Sequence, residues 1–450
     1  MAGRLFGTDG LRGLAGEFPL DSKTVHALGM ALGSVAVRLA AQPEVVLGMD
    51  TRESGPWIAA QVAGGLSRRG VRVRFAGVAT TPGVAYLTRT NSFVAGVMIS
   101  ASHNPYRDNG IKIFGHSGYK LPDAEEQVIE QEMFALLESG LEPVPFPLAV
   151  DPSLDRHYVD FLVSTMERRL EGLQVIVDCA NGAASALAPG LLASLGARVR
   201  AMGCAPDGRN INLGCGTLHV EGLRERVLAE GADLGVAFDG DADRAMFVSR
   251  RGRIVDGDAV LLMAARRLLA LGRLSGPGGQ PVVVATVMSN LGLERALTAR
   301  GIRLLRTPVG DKYVLEEMLR SGAVLGGEQS GHVIFLESGT TGDGLLTALR
   351  VIEIMLEQGR DLDELAAELE VYPQRLVNVR VKVRRPLEEL PAVTEAIRAT
   401  ELAFGEAGRV LVRYSGTEPL ARVMVEGPEL GEVEAAANRI AAAIERELGA

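Results

Sequence analysis

The chain has 450 residues, of which 47% are apolar and 23% charged, with a formal net charge of −9 and a sequence pI near 5.4. That length suits about three domains, and an acidic balance without a long basic run argues against a nucleic-acid or anionic-membrane surface. The three cysteines, Cys179, Cys204 and Cys215, are odd in number and lack C-x-x-C spacing, so they support neither a disulfide framework nor a zinc site and read as reduced thiols of a cytoplasmic protein. In chain order, Asp9 and Arg12 interrupt any signal-like start, and the apolar helical stretch over residues 27–41 contains Arg38 and is too short to span a bilayer. The segment Phe6-Gly7-Thr8-Asp9-Gly10-Leu11-Arg12-Gly13 is a glycine-rich turn in which Arg12 is a candidate anion ligand.

From Val45 onward one pattern occurs three times. Apolar strands open at Val45, Val175 and Val282. Each leads through a polar or glycine break into a helical stretch, then a glycine and a second strand: Gly70-Val71-Arg72-Val73, Gly196-Ala197-Arg198-Val199 and Gly301-Ile302-Arg303-Leu304. A third strand follows each time, over residues 95–99, 234–238 and 323–325. Three copies of one α/β domain with mixed sheets fit this better than a single large sheet. Borders are expected in the Pro-rich residues 141–152, near Asp256 and before Tyr372-Pro373. They give α/β domains over 1–150, 151–255 and 256–370 and a C-terminal α+β domain over 371–450, with strands over 377–383 and 410–412 and an amphipathic helix over 432–448.

Each third strand runs into a polar cluster. In the first copy this is Ser100-Ala101-Ser102-His103-Asn104-Pro105, where Pro105 forbids a helix and pushes Asn104 toward extended backbone. The chain is expected to turn through Asp108-Asn109-Gly110 and return as a strand over 111–114, bringing Lys112 beside Ser102. One serine and one lysine ten residues apart would ordinarily be a turn and a solvated side chain. Lysine, however, occurs only at positions 23, 112, 120, 312 and 382 among 47 cationic residues. Arginine stays charged near neutral pH, whereas a buried lysine can be tuned. Lys112 is therefore the candidate proton carrier, with His103 ranked below it as a residue that orients the loop.

The second cluster, Asp239-Gly240-Asp241-Ala242-Asp243-Arg244, spaces three carboxylates that repel unless a cation sits among them. An EF-hand needs glycine at its sixth position and glutamate at its twelfth, where this chain has Arg244 and Arg250. Three oxygen ligands with open positions suit Mg²⁺ completed by a phosphate oxygen. The third cluster, Gly326-Gly327-Glu328-Gln329-Ser330-Gly331-His332, follows the third strand of its copy at the equivalent place. In the C-terminal domain, Arg413-Tyr414-Ser415-Gly416-Thr417-Glu418-Pro419 with Arg422 combines an anion nest with two guanidiniums.

These four clusters, in this order, resemble the α-D-phosphohexomutase family over nearly the whole chain. The resemblance implies four domains around a central cleft and a phosphoserine at Ser102. It implies Mg²⁺ held by Asp239, Asp241 and Asp243 together with the Ser102 phosphoryl group. Glu328 and Ser330 are implied to hold the sugar hydroxyls, and Arg413, Ser415, Gly416, Thr417 and Arg422 to hold the substrate phosphate remote from the reaction; His332, within the third cluster, and Arg12 are further candidate substrate ligands. The partner implied is a small sugar phosphate, converted through a 1,6-bisphosphate that turns over in the cleft, with a hexosamine or glucose 1,6-bisphosphate as activator. Gln329 and the Ser415-Gly416-Thr417 form point within the family toward hexosamine phosphates. A homo-oligomer is one option the sequence leaves open. Ala242 departs from the pattern, since many relatives carry glycine there. Outside the mutases, a Mg²⁺-dependent sugar phosphatase would use the same metal loop with water as acceptor. A sugar-phosphate-binding regulator would have no use for Ser102 and Lys112 beside it.

Overall fold

The structure is a computed structural model and describes residues 5–7, 9–415 and 419–449. Compactness divides the chain into two units. One runs up to Met288 and resumes over Ile302–Ala367; the other joins Ser289–Gly301 to the chain from Glu368 onward.

The first unit contains three sheets built on one plan. In the first, Glu44–Met49 lies parallel to Arg72–Val78 on one side and to Ala95–Ile99 on the other, and Asp108–Gly115 returns antiparallel against Ala95–Ile99. In the second, Gln174–Asp178 pairs in parallel with Arg198–Met202 and Leu234–Phe238, and Ala245–Ser249 returns antiparallel. In the third, Val282–Thr286 pairs in parallel with Arg303–Thr307 and Leu325–Gly327, and Val333–Phe335 returns antiparallel. Every residue of Ala95–Ile99, Leu234–Phe238 and Val282–Thr286 is buried. Continuous apolar runs of this kind are what a strand covered on both faces requires. The expectation of three repeated α/β domains with mixed sheets is met.

Local details differ. The turn expected at Asp108-Asn109-Gly110 lies earlier, because these residues already pair with Leu14, Gly13 and Arg12 of the strand Gly10–Leu14. That N-terminal strand, with Phe6–Gly7 paired beyond it, extends the first sheet to six and claims the ladder hydrogen bonds a turn would have left open. The third strand of the third repeat is Leu325–Gly327, shifted from 323–325, and is only three residues long.

The second unit has a three-stranded antiparallel sheet with Leu420–Glu426 between Gln374–Arg380 and Arg409–Tyr414. It is backed by the helices Pro391–Phe404 and Leu430–Leu448, the latter burying Val433, Ala436, Ala437, Ile440 and Ile444 at helical spacing against the sheet. The same unit holds the helix Leu291–Thr298. Asn290 caps it and also exchanges two hydrogen bonds of 2.9 Å with the backbone of Tyr372. Arg409 donates to the Ser289 carbonyl at 3.0 Å while pairing with the fully buried Glu426 at 2.6 Å, and Arg295 reaches the Tyr372 hydroxyl at 2.5 Å.

Candidate active site

All three polar clusters of the first unit occupy the same place in their repeats, the connection between the third parallel strand and the antiparallel return. In the first repeat this connection holds Ser102 at φ 52°, a left-handed conformation that costs a serine energy and persists only where neighbours enforce it. The Ser102 amide donates to Ser100 Oγ at 2.9 Å, and Ser100 Oγ donates to Asp50 Oδ2 at 2.6 Å. Ser102 Oγ donates to Asp239 Oδ2 at 2.5 Å and lies 3.4 Å from His103 Nδ1. Gly240 allows this approach, since a Cβ there would meet the Ser102 carbonyl oxygen at 2.5 Å.

Asp239, Asp241 and Asp243 are buried, and one carboxylate oxygen from each can be chosen so that all three lie within 4.8 Å of one another. Burial, then Asp243 and Asp241, push the Asp239 carboxyl well above its ordinary value. Burial also works against the charge on Asp243, but Lys112, His332 and Arg244 outweigh it and hold that carboxyl well below the usual range. Asp241 Oδ1 and Asp243 Oδ1 are buried without a hydrogen-bond partner. Three convergent carboxylates with two orphaned oxygens fit a hard divalent cation, which would satisfy both. Ala242 adopts φ 57° and is fully buried, so the loop keeps its left-handed turn with alanine in place of glycine.

Lys112 returns on the antiparallel strand Asp108–Gly115 and enters the aspartate cluster that Ser102 also touches. It pairs with Met98 in the sheet, and its ammonium reaches Asp241 at 2.9 Å, Asp9 at 3.3 Å and Asp243 at 3.4 Å. Burial opposes its charge, but these carboxylates outweigh burial and raise it well above the ordinary lysine value. Asp9 also pairs with Arg12 and with Lys120, and Lys120 bridges onward to Asp311 at the start of the helix Asp311–Ser321. Arg12 lies against the serine loop, its Nη1 3.5 Å from the Ala101 carbonyl oxygen. His103 is lowered to about 4, by burial first and then by Arg244 and Arg12, so its ring is neutral at pH 7.

In the third repeat, Glu328 accepts from the Gly310 amide at 3.2 Å and from Ser330 Oγ at 3.5 Å. His332 Nε2 accepts from the Gly342 amide at 3.0 Å, and His332 Nδ1 lies 3.7 Å from Asp243, joining the third loop to the second. Gln329 shapes the loop through its carbonyl, which accepts from Gly257 N at 3.0 Å, and its side chain bonds to Asp256.

In the second unit, Arg413 and Arg422 are direct cross-strand partners, and Arg422 Nη2 lies 3.5 Å from Ser415 Oγ. Two guanidiniums opposite one another repel unless an anion joins them, and burial with the Arg422 charge lowers Arg413 from the usual arginine value. Gly416 and Thr417 lie outside the described residues.

Sequence reasoning missed several residues that complete this geometry. Thr81 Oγ1 donates to Asp241 Oδ2 at 2.5 Å. Arg244, next to Asp243, is held among the carboxylates at 3.8 Å. Asp9 and Lys120 carry the charge network to the third repeat, and the scarcity of lysine that singled out Lys112 applies equally to Lys120. Asp50, Arg52 and Asn212 hold the serine loop from behind.

Family models for the phosphoglucomutase/phosphomannomutase proteins match along the whole chain in order: α/β/α domain I over residues 3–139, domain II over 156–252, domain III over 256–372 and the C-terminal domain over 376–443. The chain belongs to this family. It is 63% identical over 449 residues to a phosphoglucosamine mutase of Solibacter usitatus, covering 100% of both chains. It is 51% identical over 456 residues to one of Koribacter versatilis, covering 99% of this chain and 97% of that one. Among solved structures, a putative phosphomannomutase from Thermus thermophilus aligns over 99% of this chain and 100% of its own with a TM-score of 0.78 at 26% identity. A phosphoglucomutase/phosphomannomutase family protein from Burkholderia thailandensis shares the fold, with a TM-score of 0.81 at 24% identity over 99% of this chain and 98% of its own. The family places the chain among phosphoryl-transferring isomerases. No helix among the described residues is long and apolar enough to cross a membrane.

Proposed function

We propose that the chain interconverts glucosamine 6-phosphate and glucosamine 1-phosphate through a phosphoserine at Ser102 and a 1,6-bisphosphate intermediate. The observation that carries this reading is Ser102 Oγ bonded at 2.5 Å to Asp239 within a buried three-carboxylate cluster that keeps two oxygens unsatisfied. Full-length likeness to phosphoglucosamine mutases supports the choice of sugar.

In this reading Asp239, Asp241 and Asp243 would hold Mg²⁺, and the metal would supply charge neutralisation to the phosphoserine. The P–Oγ bond of Ser102 breaks as a bond forms to the sugar oxygen; the sugar hydroxyl gives up its proton and the serine oxygen gains one. Lys112, kept charged by three carboxylates, is in the donor form that a departing serine oxygen needs. His103, neutral, orients the loop. Glu328, Ser330 and His332 receive the sugar hydroxyls, and Arg413, Ser415, Gly416, Thr417 and Arg422 grip the phosphate that is not reacting, with Arg12 as an additional anion ligand. A hexosamine or glucose 1,6-bisphosphate is the activator in this reading. The free thiols Cys179, Cys204 and Cys215 suit a reducing cytoplasm.

The test mixes purified protein, Mg²⁺ and glucose 1,6-bisphosphate with glucosamine, glucose or mannose 6-phosphate and follows the 1-phosphates. Glucosamine 6-phosphate is expected to give the highest kcat/KM, with phosphate on Ser102 by peptide mass spectrometry and no turnover in Ser102→Ala. Preference for mannose or glucose phosphate would move the chain to another branch of the family, and release of free phosphate in place of isomer would make it a phosphatase.

A further inference from the structure

Arg52 is 1% exposed, and among the described residues its carboxylate partner is the fully buried Asp50, with Arg52 Nε 2.9 Å from Asp50 Oδ2. The rest of the guanidinium is spent on main-chain oxygens of one loop. Nη2 donates to the carbonyls of Ser102 at 2.9 Å and Asn104 at 2.8 Å, and Nη1 to that of Asp108 at 3.0 Å and, by a shorter bond, to that of Pro105. Two of these same oxygens are claimed again from the second repeat: Asn212 Nδ2 donates to the Ser102 carbonyl at 2.9 Å and to the Asn104 carbonyl at 3.1 Å. Asn212 is itself left-handed at φ 59°, a conformation asparagine tolerates better than most residues.

A buried arginine used only for scaffolding would be expensive to desolvate and could be replaced by apolar packing at no loss. Here the planar fork matches a set of carbonyls that no other side chain could gather, since an ammonium lacks its five fixed donors. Drawing four carbonyls inward fixes the peptide plane that follows Ser102 and the loop beyond it, while Ser100 Oγ holds the Ser102 amide on the other side, and together they set the direction of the Ser102 Cα–Cβ bond. With its carbonyl held from both repeats and its amide held by Ser100 Oγ, Ser102 is pinned on both sides of its left-handed φ.

We propose that Arg52 and Asn212 are positioning residues that hold Ser102 in the one orientation from which its phosphoryl group can be transferred, Arg52 from the first repeat and Asn212 from the second. The proposal rests on the phosphoserine reading above. Among the described residues, their hydrogen bonds go to Asp50 and to the backbone of the serine loop, through which they act. Because a reacting group displaced by about 1 Å can lose roughly 100-fold in rate, loosening either clamp slows transfer without changing how tightly the sugar phosphate binds.

The experiment is a single-turnover measurement on full-length protein carrying phosphate on Ser102, mixed with excess glucosamine 6-phosphate and Mg²⁺, and quenched for mass spectrometry of the Ser102 peptide. A purely structural role lowers the amplitude, the fraction of phosphoserine able to react. A positioning role lowers the rate constant of the reacting fraction. Arg52→Lys is expected to slow that rate constant about 100-fold and Asn212→Ala about 10-fold, with the sugar phosphate concentration at half-maximal rate within about 3-fold of wild type. If Arg52→Lys yields no folded protein, the half-buried Asn212→Ala variant alone decides. Rate constants unchanged in the variants, with or without loss of amplitude, would overturn the proposal. A wild-type protein that fails to transfer its phosphate would instead overturn the phosphoserine reading.

Discussion

Lys112→Met is the most informative single change in the acidic cluster. The native ammonium is 1% exposed and lies 2.9 Å from Asp241, 3.3 Å from Asp9 and 3.4 Å from Asp243. Methionine preserves most of the apolar stem but removes the cation, and breaking a buried ion pair from one side costs about 3–5 kcal/mol because the remaining charge is stranded. At about 2–4 °C per kcal/mol for a domain of this size, the melting temperature measured in chelator should fall by roughly 6–20 °C. A divalent cation on the same carboxylates would replace the lost charge, so excess Mg²⁺ should raise the melting temperature of the variant by more than that of the wild type. Turnover in Mg²⁺ should nevertheless fall by about 10²–10⁴-fold, the range of a lost proton-transfer group. Differential scanning calorimetry in chelator and in Mg²⁺, paired with steady-state assays, measures both. Equal melting temperatures in chelator, or a Mg²⁺ increment no larger than that of the wild type, would refute the view that Lys112 is the charge counterpart of the aspartate loop.

Three further outcomes are expected. Arg422→Ala removes one of two facing guanidiniums and should raise KM for the sugar phosphate by roughly 10- to 100-fold, equivalent to about 1.5–3 kcal/mol of charge-assisted hydrogen bonding, while kcat changes little; steady-state kinetics separate the two. Burial raises the Asp343 carboxyl to about 6, above the value near 3.9 of an unfolded aspartate. The folded state therefore binds more protons between these values, and stability falls as pH rises from about 4 to about 6. Asp343→Asn keeps a cap for the Leu346 amide and a partner for the Tyr158 hydroxyl, so urea melts should lose this decline and show a gain of up to about 2–3 kcal/mol at neutral pH. Ala242→Gly relieves a left-handed alanine at φ 57°, worth about 1–2 kcal/mol less the extra entropy glycine loses on folding, about 0.5–1 kcal/mol. A gain of about 1 kcal/mol with near-normal turnover is expected, and thermal melts against the wild type decide it.

The triple repeat and the location of its polar loops were legible because burial writes itself into sequence: Ala95–Ile99 and Leu234–Phe238 are apolar without interruption and run directly into polar residues. The aspartate loop was legible because three carboxylates in five residues have few stable uses without a cation. The partner of Lys112 was not, since its contacts with Asp241 and Asp243 join positions about 130 residues apart, and local spacing carries no trace of such pairing. Arg52 escaped notice because arginine fills most cationic positions here, and what sets it apart is burial against the carbonyls of another loop. In the second unit the central strand Leu420–Glu426 was overlooked. Its N-terminal half, with Arg422 facing Arg413, lacks the apolar run that marks a covered strand.

The hydrogen bonds joining Ser289, Asn290 and Arg295 to Tyr372, Glu406 and Arg409 bear on how this protein can be dissected or recombined. A fragment cut at residue 371 or 372 would carry the arginine pair but leave behind the helix Leu291–Thr298, stripping Glu426 of its bond from the Leu291 amide and Arg409 of the Ser289 carbonyl. The C-terminal unit is thus a split cassette, with a piece encoded some 70 residues upstream of its main body. A chimera that swaps C-terminal domains between relatives has to transplant both pieces together, and ribosomal synthesis has to wait for the second before the first has its partner.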